Sequence, residues 1–249
     1  ARGKAAVHCV IIGFATHDAP VKTIYEYDAI DGKPHAVKAK NINPFLIDAP
    51  DMLLINRKYP ICQVPAMRFG SMPRDGGNLL FTKSEYDEFI KEEPLAKRFI
   101  LPYVGSEEFI NGNWRWCLWL DGVDPSEFRP LPKVMQRIEM TKQFRNNSKA
   151  AATRKFATTP AVFCQLAQPK SNYLLVPGVS SEKRLYIPIG FMEPQVIANN
   201  LVFIIPDAEL WHFGFVQSAM HMAWVRYTCG RLESRYRYSK DIVYNNFPW

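Results

Sequence analysis

Apolar and polar positions divide the chain into many short runs and two long helical ones. Residues 7–14 and 23–29 read as strands joined by a polar turn. Thr23-Ile24-Tyr25-Glu26-Tyr27 partly alternates, and Asp31-Gly32-Lys33-Pro34 supplies a turn after it. Residues 37–60 carry Pro44, Pro50 and Pro60 and predict an irregular connection, with a boundary near residue 45. Ser84 is a candidate N-cap for a helix with acidic residues in its first turn, and Pro94 restarts a helical segment through Phe99. Asn111-Gly112-Asn113 predicts a turn into residues 114–120, which alternate like the half-buried strand of a hairpin.

The longest helical pattern covers residues 131–156. Val134, Ile138, Met140 and Phe144 supply a partial apolar stripe, and Asn146-Asn147-Ser148-Lys149-Ala150 predicts a break. Short strands are expected at 173–176, 185–189 and 201–205. One apolar helix is expected over 209–229, with Gly214 inside it and Gly230 at the C′ position. Strands and helices in this order, without regular βαβ winding, predict an α+β fold of mixed sheets with packed helices.

Composition adds a bias toward polyanions. The 249 residues are 47% hydrophobic and 22% charged, an ordinary globular balance, and carry a formal net charge of +7. Nucleic acid is the first partner this suggests and an anionic membrane surface the second, although no stretch is long and apolar enough to span a bilayer. Five cysteines and five histidines are scattered without zinc or CxxC spacing, so a structural metal is not expected. The cysteines read as reduced core thiols of a cytoplasmic protein.

Catalytic signatures are missing: there is no GxSxG, HExxH, phosphate-binding loop or dinucleotide fingerprint. The basic run 137–155 holds Arg137, Lys142, Arg145, Lys149, Arg154 and Lys155 with Glu139 as its sole acid. A solvated helix normally mixes signs, so Arg145, Lys149, Arg154 and Lys155 are candidate phosphate contacts. Arg74, in the glycine-rich loop 70–77, is another, with a plain structured turn as the alternative. Ser180, Ser181, Lys183 and Arg184 form a polar loop that either holds a backbone phosphate or caps a hairpin. Toward the end, basic residues including Arg237 and Lys240 alternate with aromatics, which suits a groove or backbone contact. Glu233 and Arg235 stand two apart, on one side of an extended segment. A carboxylate accepts from cytosine N4 and a guanidinium donates to guanine O6 and N7, so the two are able to read one C·G pair. A local salt bridge is the alternative.

The run Ser239-Lys240-Asp241 through Asn245-Asn246-Phe247-Pro248-Trp249 resembles the end of the target recognition domain of MmeI-like type IIL restriction–modification enzymes and related adenine methyltransferases. Met67-Arg68-Phe69-Gly70-Ser71-Met72-Pro73-Arg74-Asp75-Gly76-Gly77, the stretch Gly105 to Gly112, Ser148 to Arg154, Val179-Ser180-Ser181-Glu182 and Ser218 to Trp224 resemble the same family, in order. The resemblance implies a parent with an S-adenosylmethionine-dependent domain that flips and methylates adenine N6, and in many members a nuclease. No NPPY-type motif occurs in this chain, so the resemblance implies a piece that binds double-stranded DNA, carries no cofactor and catalyses nothing alone. It implies that residues 1–45 are trailing strands of the methyltransferase domain and that 46–249 are the recognition domain. It favours Glu233 and Arg235 as base readers, and maps further reading positions to Gly178 and to Asn200 and Leu201. A competing expectation is a protein-interaction domain of a larger phage-defence complex, using the tryptophan-rich strand and the aromatic tail.

Overall fold

A computed structural model describes residues 10–29 and 32–249. Of the strand expected at 7–14, residues 7–9 lie outside the described residues, and 10–14 form no strand and are exposed. An antiparallel pair follows, β1 (Lys22–Glu26) with β2 (His35–Ala39). Residues 49–67 then run without regular elements. Side chains from the end of the chain hold this segment. Asn245 Nδ2 donates to the Arg57 carbonyl, Asn246 Nδ2 to the Ile55 carbonyl and the Tyr244 hydroxyl to the Pro65 carbonyl.

The first large core surrounds a four-stranded sheet. Its strands are β4 (Leu80–Phe81), β5 (Ile100–Val104), β6 (Arg115–Leu118) and β10 (Ile197–Ala198), in the order β10-β5-β6-β4. Helix α1 (Lys83–Glu92) packs beside it. Its N-cap is Thr82, not Ser84: Thr82 and Glu85 form a reciprocal capping box, whose Thr-x-x-Glu spacing is legible in the sequence. Pro94–Phe99 is a 3-10 turn, as the proline predicted. The turn at Gly112 has φ +75°, but a short helix, α2 (Ser106–Asn111), precedes it, so β5 and β6 are not a tight hairpin.

After α3 (Pro125–Phe128), the basic segment forms α4 (Pro132–Asn146) and α5 (Ala151–Arg154), broken where expected. The buried stripe of α4 is Val134, Ile138, Thr141 and Arg145, spaced i, i+4, i+7, i+11. Met140 and Phe144, expected inside, are exposed, because the helical period places them off that face.

The second core flanks a sheet of order β3-β11-β7-β9, with β3 (Arg68–Phe69), β7 (Tyr173–Pro177), β9 (Gly190–Met192) and β11 (Val202–Pro206). Along β7 and β11, alternate residues enter two different clusters. Leu174, Val176, Phe203 and Ile205 join one; Tyr173, Leu175, Val202 and Ile204 join the other. Both faces are therefore covered, which explains the unbroken apolar runs. The strand expected at 185–189 is instead irregular, with a bend at 185–186 and Leu185 exposed, and pairing starts only at Gly190.

The helix expected over 209–229 is two helices, α6 (Leu210–Val216) and α7 (Ala219–Thr228). Ser218 divides them by accepting from the His221 N–H as an N-cap. Gly230 follows the C-cap Cys229 and so holds the expected C′ position, but not in a left-handed conformation: Cys229 is already extended and Gly230 opens β12 (Gly230–Leu232). That strand pairs with β13 (Arg235–Arg237), which pairs with β8 (Val179–Ser180).

Candidate nucleic-acid interface

The hairpin of β12 and β13 turns through Glu233 and Ser234, because Leu232 pairs with Arg235. Glu233 sits at φ +57°, in the left-handed region that side chains other than glycine, asparagine or aspartate rarely adopt. The two candidate readers therefore do not share the side of an extended strand. They converge because the turn bends Glu233 back, placing its Oε2 2.9 Å from Arg235 Nη2. Both side chains are about half exposed, at 51% and 45%. Along β13, Arg235 and Arg237 point outward while Tyr236 and Tyr238 are buried. Arg231 lies on the Tyr236 side: its guanidinium carbon is 4.2 Å from the centre of that ring.

Two expected reading positions, Gly178 and Leu201, meet through a main-chain hydrogen bond. Gly178 donates its N–H to the Leu201 carbonyl and accepts at its own carbonyl from the Tyr238 N–H. Leu201 is 66% exposed and Asn200 is half-buried. Gly178 is corrected as a direct reader. A Cβ there would stand 2.6 Å from the Leu201 oxygen, and its N–H is already engaged, so the position joins two loops and offers no group to a base.

The loop after β3 is tied to β10, where the buried Ser71 donates its N–H to the Ala198 carbonyl. Arg74 follows at φ +46°, exposed, with Nη1 3.4 Å from the Thr153 hydroxyl on α5. Arg154 is exposed and donates Nη1 to the Ser148 and Lys149 carbonyls. Lys149 and Lys155 are exposed with no carboxylate within ion-pair distance among the described residues.

Arg145 is not at this surface. It is fully buried, and its five N–H groups meet five carbonyls: Nε on Arg74, Nη2 on Pro73 and Val162, Nη1 on Phe156 and Thr159. No donor remains for a phosphate. Arg137 is likewise turned in, over the Phe81 ring at 4.0 Å, with Nη1 on the Asn78 and Leu80 carbonyls. The basic run is thus partly a structural clamp.

Ser180 is also corrected: it is 3% exposed, inside the β8–β13 pairing, with no partner for its hydroxyl among the described residues. Ser181 is half-buried and its hydroxyl accepts from the Lys183 N–H, the hairpin-capping alternative; Lys183 and Arg184 are exposed beside it. Glu182 is held below the usual carboxylate range, first by its own backbone N–H and then by Ser234, Lys183 and Arg231. Arg237 is exposed, and Lys240 is half-buried and paired with Asp241.

The aromatics expected at a protein interface are largely core. Trp116 stacks on Tyr86 at 4.9 Å, Trp119 meets Phe163 edge-on, and Tyr236, Tyr238, Tyr244 and Phe247 are buried. Of the four cysteines among the described residues, Cys117 and Cys229 are buried and Cys62 and Cys164 half-buried, all unpaired. No group of three or more histidine, cysteine or acidic residues is placed to hold a metal among the described residues. No helix there is long and apolar enough to cross a membrane.

Residues 48–249 match the family model described as MmeI, target recognition domain. The chain is 40% identical over 248 residues to DNA methyltransferase A of Bacillus subtilis (strain 168), covering 100% of the chain and 28% of that protein. Among solved structures it resembles the type IIL restriction–modification enzyme MmeI in complex with DNA, at 51% identity and a TM-score of 0.95, covering 100% of this chain and 33% of that one. The chain therefore spans a third or less of the length of either relative.

Proposed function

The chain belongs to the MmeI target recognition domain family, and we propose that it reads the sequence of double-stranded DNA for an adenine N6 methyltransferase of a bacterial restriction–modification system. In this reading residues 46–249 are the recognition domain and 1–45 trail from the catalytic domain of the same parent. S-adenosylmethionine is bound by that parent domain, and the whole protein works in the cytoplasm. The relatives support it: one is named as a DNA methyltransferase and the other is a restriction–modification enzyme in complex with DNA.

The observation that carries the reading is the exposed Glu233–Arg235 pair on a strained two-residue turn. Each residue satisfies the other in the free molecule. Being half exposed, the pair contributes about 0–1 kcal/mol. A bidentate contact to the correct base is worth about 1–3 kcal/mol of discrimination, so exchanging partner for base is favourable. Glu233 accepts from cytosine N4 while Arg235 donates to guanine O6 and N7 of the same pair. Arg74, Lys149, Arg154, Lys155, Lys183, Arg184 and Arg237 supply phosphate contacts around this reader.

The test is the double variant Glu233→Lys with Arg235→Asp in the full-length protein, assayed for methylation on duplexes varied at each position. Preference for C·G at one position is expected to change or vanish. An unaltered preference at every position overturns the assignment.

A further inference from the structure

We propose that Arg231 is the positioning residue of the reader hairpin, an inference that rests on the base-reading role given above to Glu233 and Arg235. Strands β12 and β13 have three residues each, too few to hold a two-residue loop rigidly by pairing alone. The loop also contains Glu233 in an unfavourable conformation. Something must define the tip, because a bidentate contact to a base tolerates little misplacement.

Arg231 meets that requirement from three directions. Nη1 donates to the Ser234 carbonyl at 3.1 Å, inside the loop itself. Nη2 donates to the Arg226 carbonyl at 3.2 Å, in the last turn of α7, where helix carbonyls favour a cation. The flat guanidinium lies over the Tyr236 ring, which is buried at the cross-strand position. One side chain therefore ties the loop to a helix end and to the core. Strand alternation places Arg231 on the face opposite Arg235 and Arg237. It acts from behind the reader and does not face the bases.

The experiment uses the full-length protein with Arg231→Gln and Arg231→Lys. Methylation is measured on duplexes carrying each of the four base pairs at the read position, and binding to a duplex without the site is followed against salt. Discrimination is expected to fall about tenfold in both variants, within the range one good base contact supplies. Lysine keeps the charge but cannot bridge two carbonyls and stack flat on a ring, so it does not rescue. Non-specific binding and its salt slope stay unchanged. In a Glu233→Ala, Arg235→Ala background, adding Arg231→Gln has no further effect, since both changes act through one contact.

Three results overturn the proposal: full discrimination in Arg231→Gln, full rescue by lysine, or a salt slope lowered by about one with binding weakened equally on all sequences, the mark of a phosphate contact. If Glu233→Ala with Arg235→Ala leaves discrimination intact, the base-reading role fails and this inference with it. If that double variant relaxes specificity and Arg231→Gln does not, only the positioning role fails.

Discussion

Replacing Arg145 by methionine separates a structural cation from a DNA contact. Methionine keeps the apolar stem and removes all five donors. Five carbonyls, on Pro73, Arg74, Phe156, Thr159 and Val162, then lose the arginine; those of Phe156 and Thr159 still accept from the Thr159 and Val162 N–H groups, so three are left without a partner among the described residues. A buried polar group left unpaired costs about 1–3 kcal/mol. Several of these carbonyls are on loops that water can reach after small movements, so the losses do not sum fully. Methionine also removes the desolvation penalty of the buried charge, which lowers the guanidinium pKa from its ordinary value. With three unpaired carbonyls at about 1–3 kcal/mol each, incomplete summing and the relieved desolvation, the net expectation is a destabilisation of about 2–5 kcal/mol. For a chain of this size that is a fall of roughly 10 °C in melting temperature. Urea unfolding of wild type and variant measures it. Arg145→Lys should recover only part, because one ammonium has three donors and no planar fork. At a temperature where the variant is folded, the salt dependence of DNA binding should match wild type. Arg154→Ala should do the opposite: stability almost intact and the salt slope lowered by about one. A stable Arg145→Met with a reduced slope would refute this reasoning and restore Arg145 to the interface.

Two further predictions concern the second core and its junction. His221 is buried, with Nε2 2.9 Å from the Tyr238 hydroxyl, and burial depresses its pKa from 6.5 to about 4. Between pH 6.5 and 4 the unfolded chain binds this proton and the folded chain does not, so stability rises with pH across that window and falls on acidification, by at most about 3 kcal/mol. His221→Gln keeps a partner for Tyr238 and should flatten this part of the pH–stability curve; a curve unchanged by the substitution would exclude His221 as its source. Gly178→Ala forces a Cβ to 2.6 Å from the Leu201 oxygen. The neighbouring loops must part, at about 1–3 kcal/mol as for other overpacked sites, and specificity should relax at positions read by both loops. An alanine variant as stable and selective as wild type would show that the junction has slack.

Much of the local structure was legible because it depends on neighbours in sequence. Pro94 set its 3-10 turn, Gly112 its left-handed turn, and the apolar runs of β7 and β11 their burial. The capping box of Thr82 and Glu85 was equally local and was missed only by centring the helix two residues late. Where a period is interrupted, the sequence read too smoothly. Ser218 splits one apolar helix into two by capping the second, a gain in hydrogen bonding that hydrophobicity alone does not register.

The candidate site divides in the same way. The residue pair Glu233 and Arg235 was visible from chemistry and spacing. The side each faces was decided by a turn, and turns depend on which strand pairs with which. Arg145 and Arg154 are alike in sequence, both cations in one basic run. One is enclosed by five carbonyls from loops distant in the chain; the other faces solvent. Charge is a property of the residue, but whether it serves the fold or the partner depends on where main-chain oxygens collect, and only the packed structure places them. Gly178 makes the same point in reverse: the resemblance maps a reading position there, and the packed Leu201 carbonyl leaves no room for a side chain.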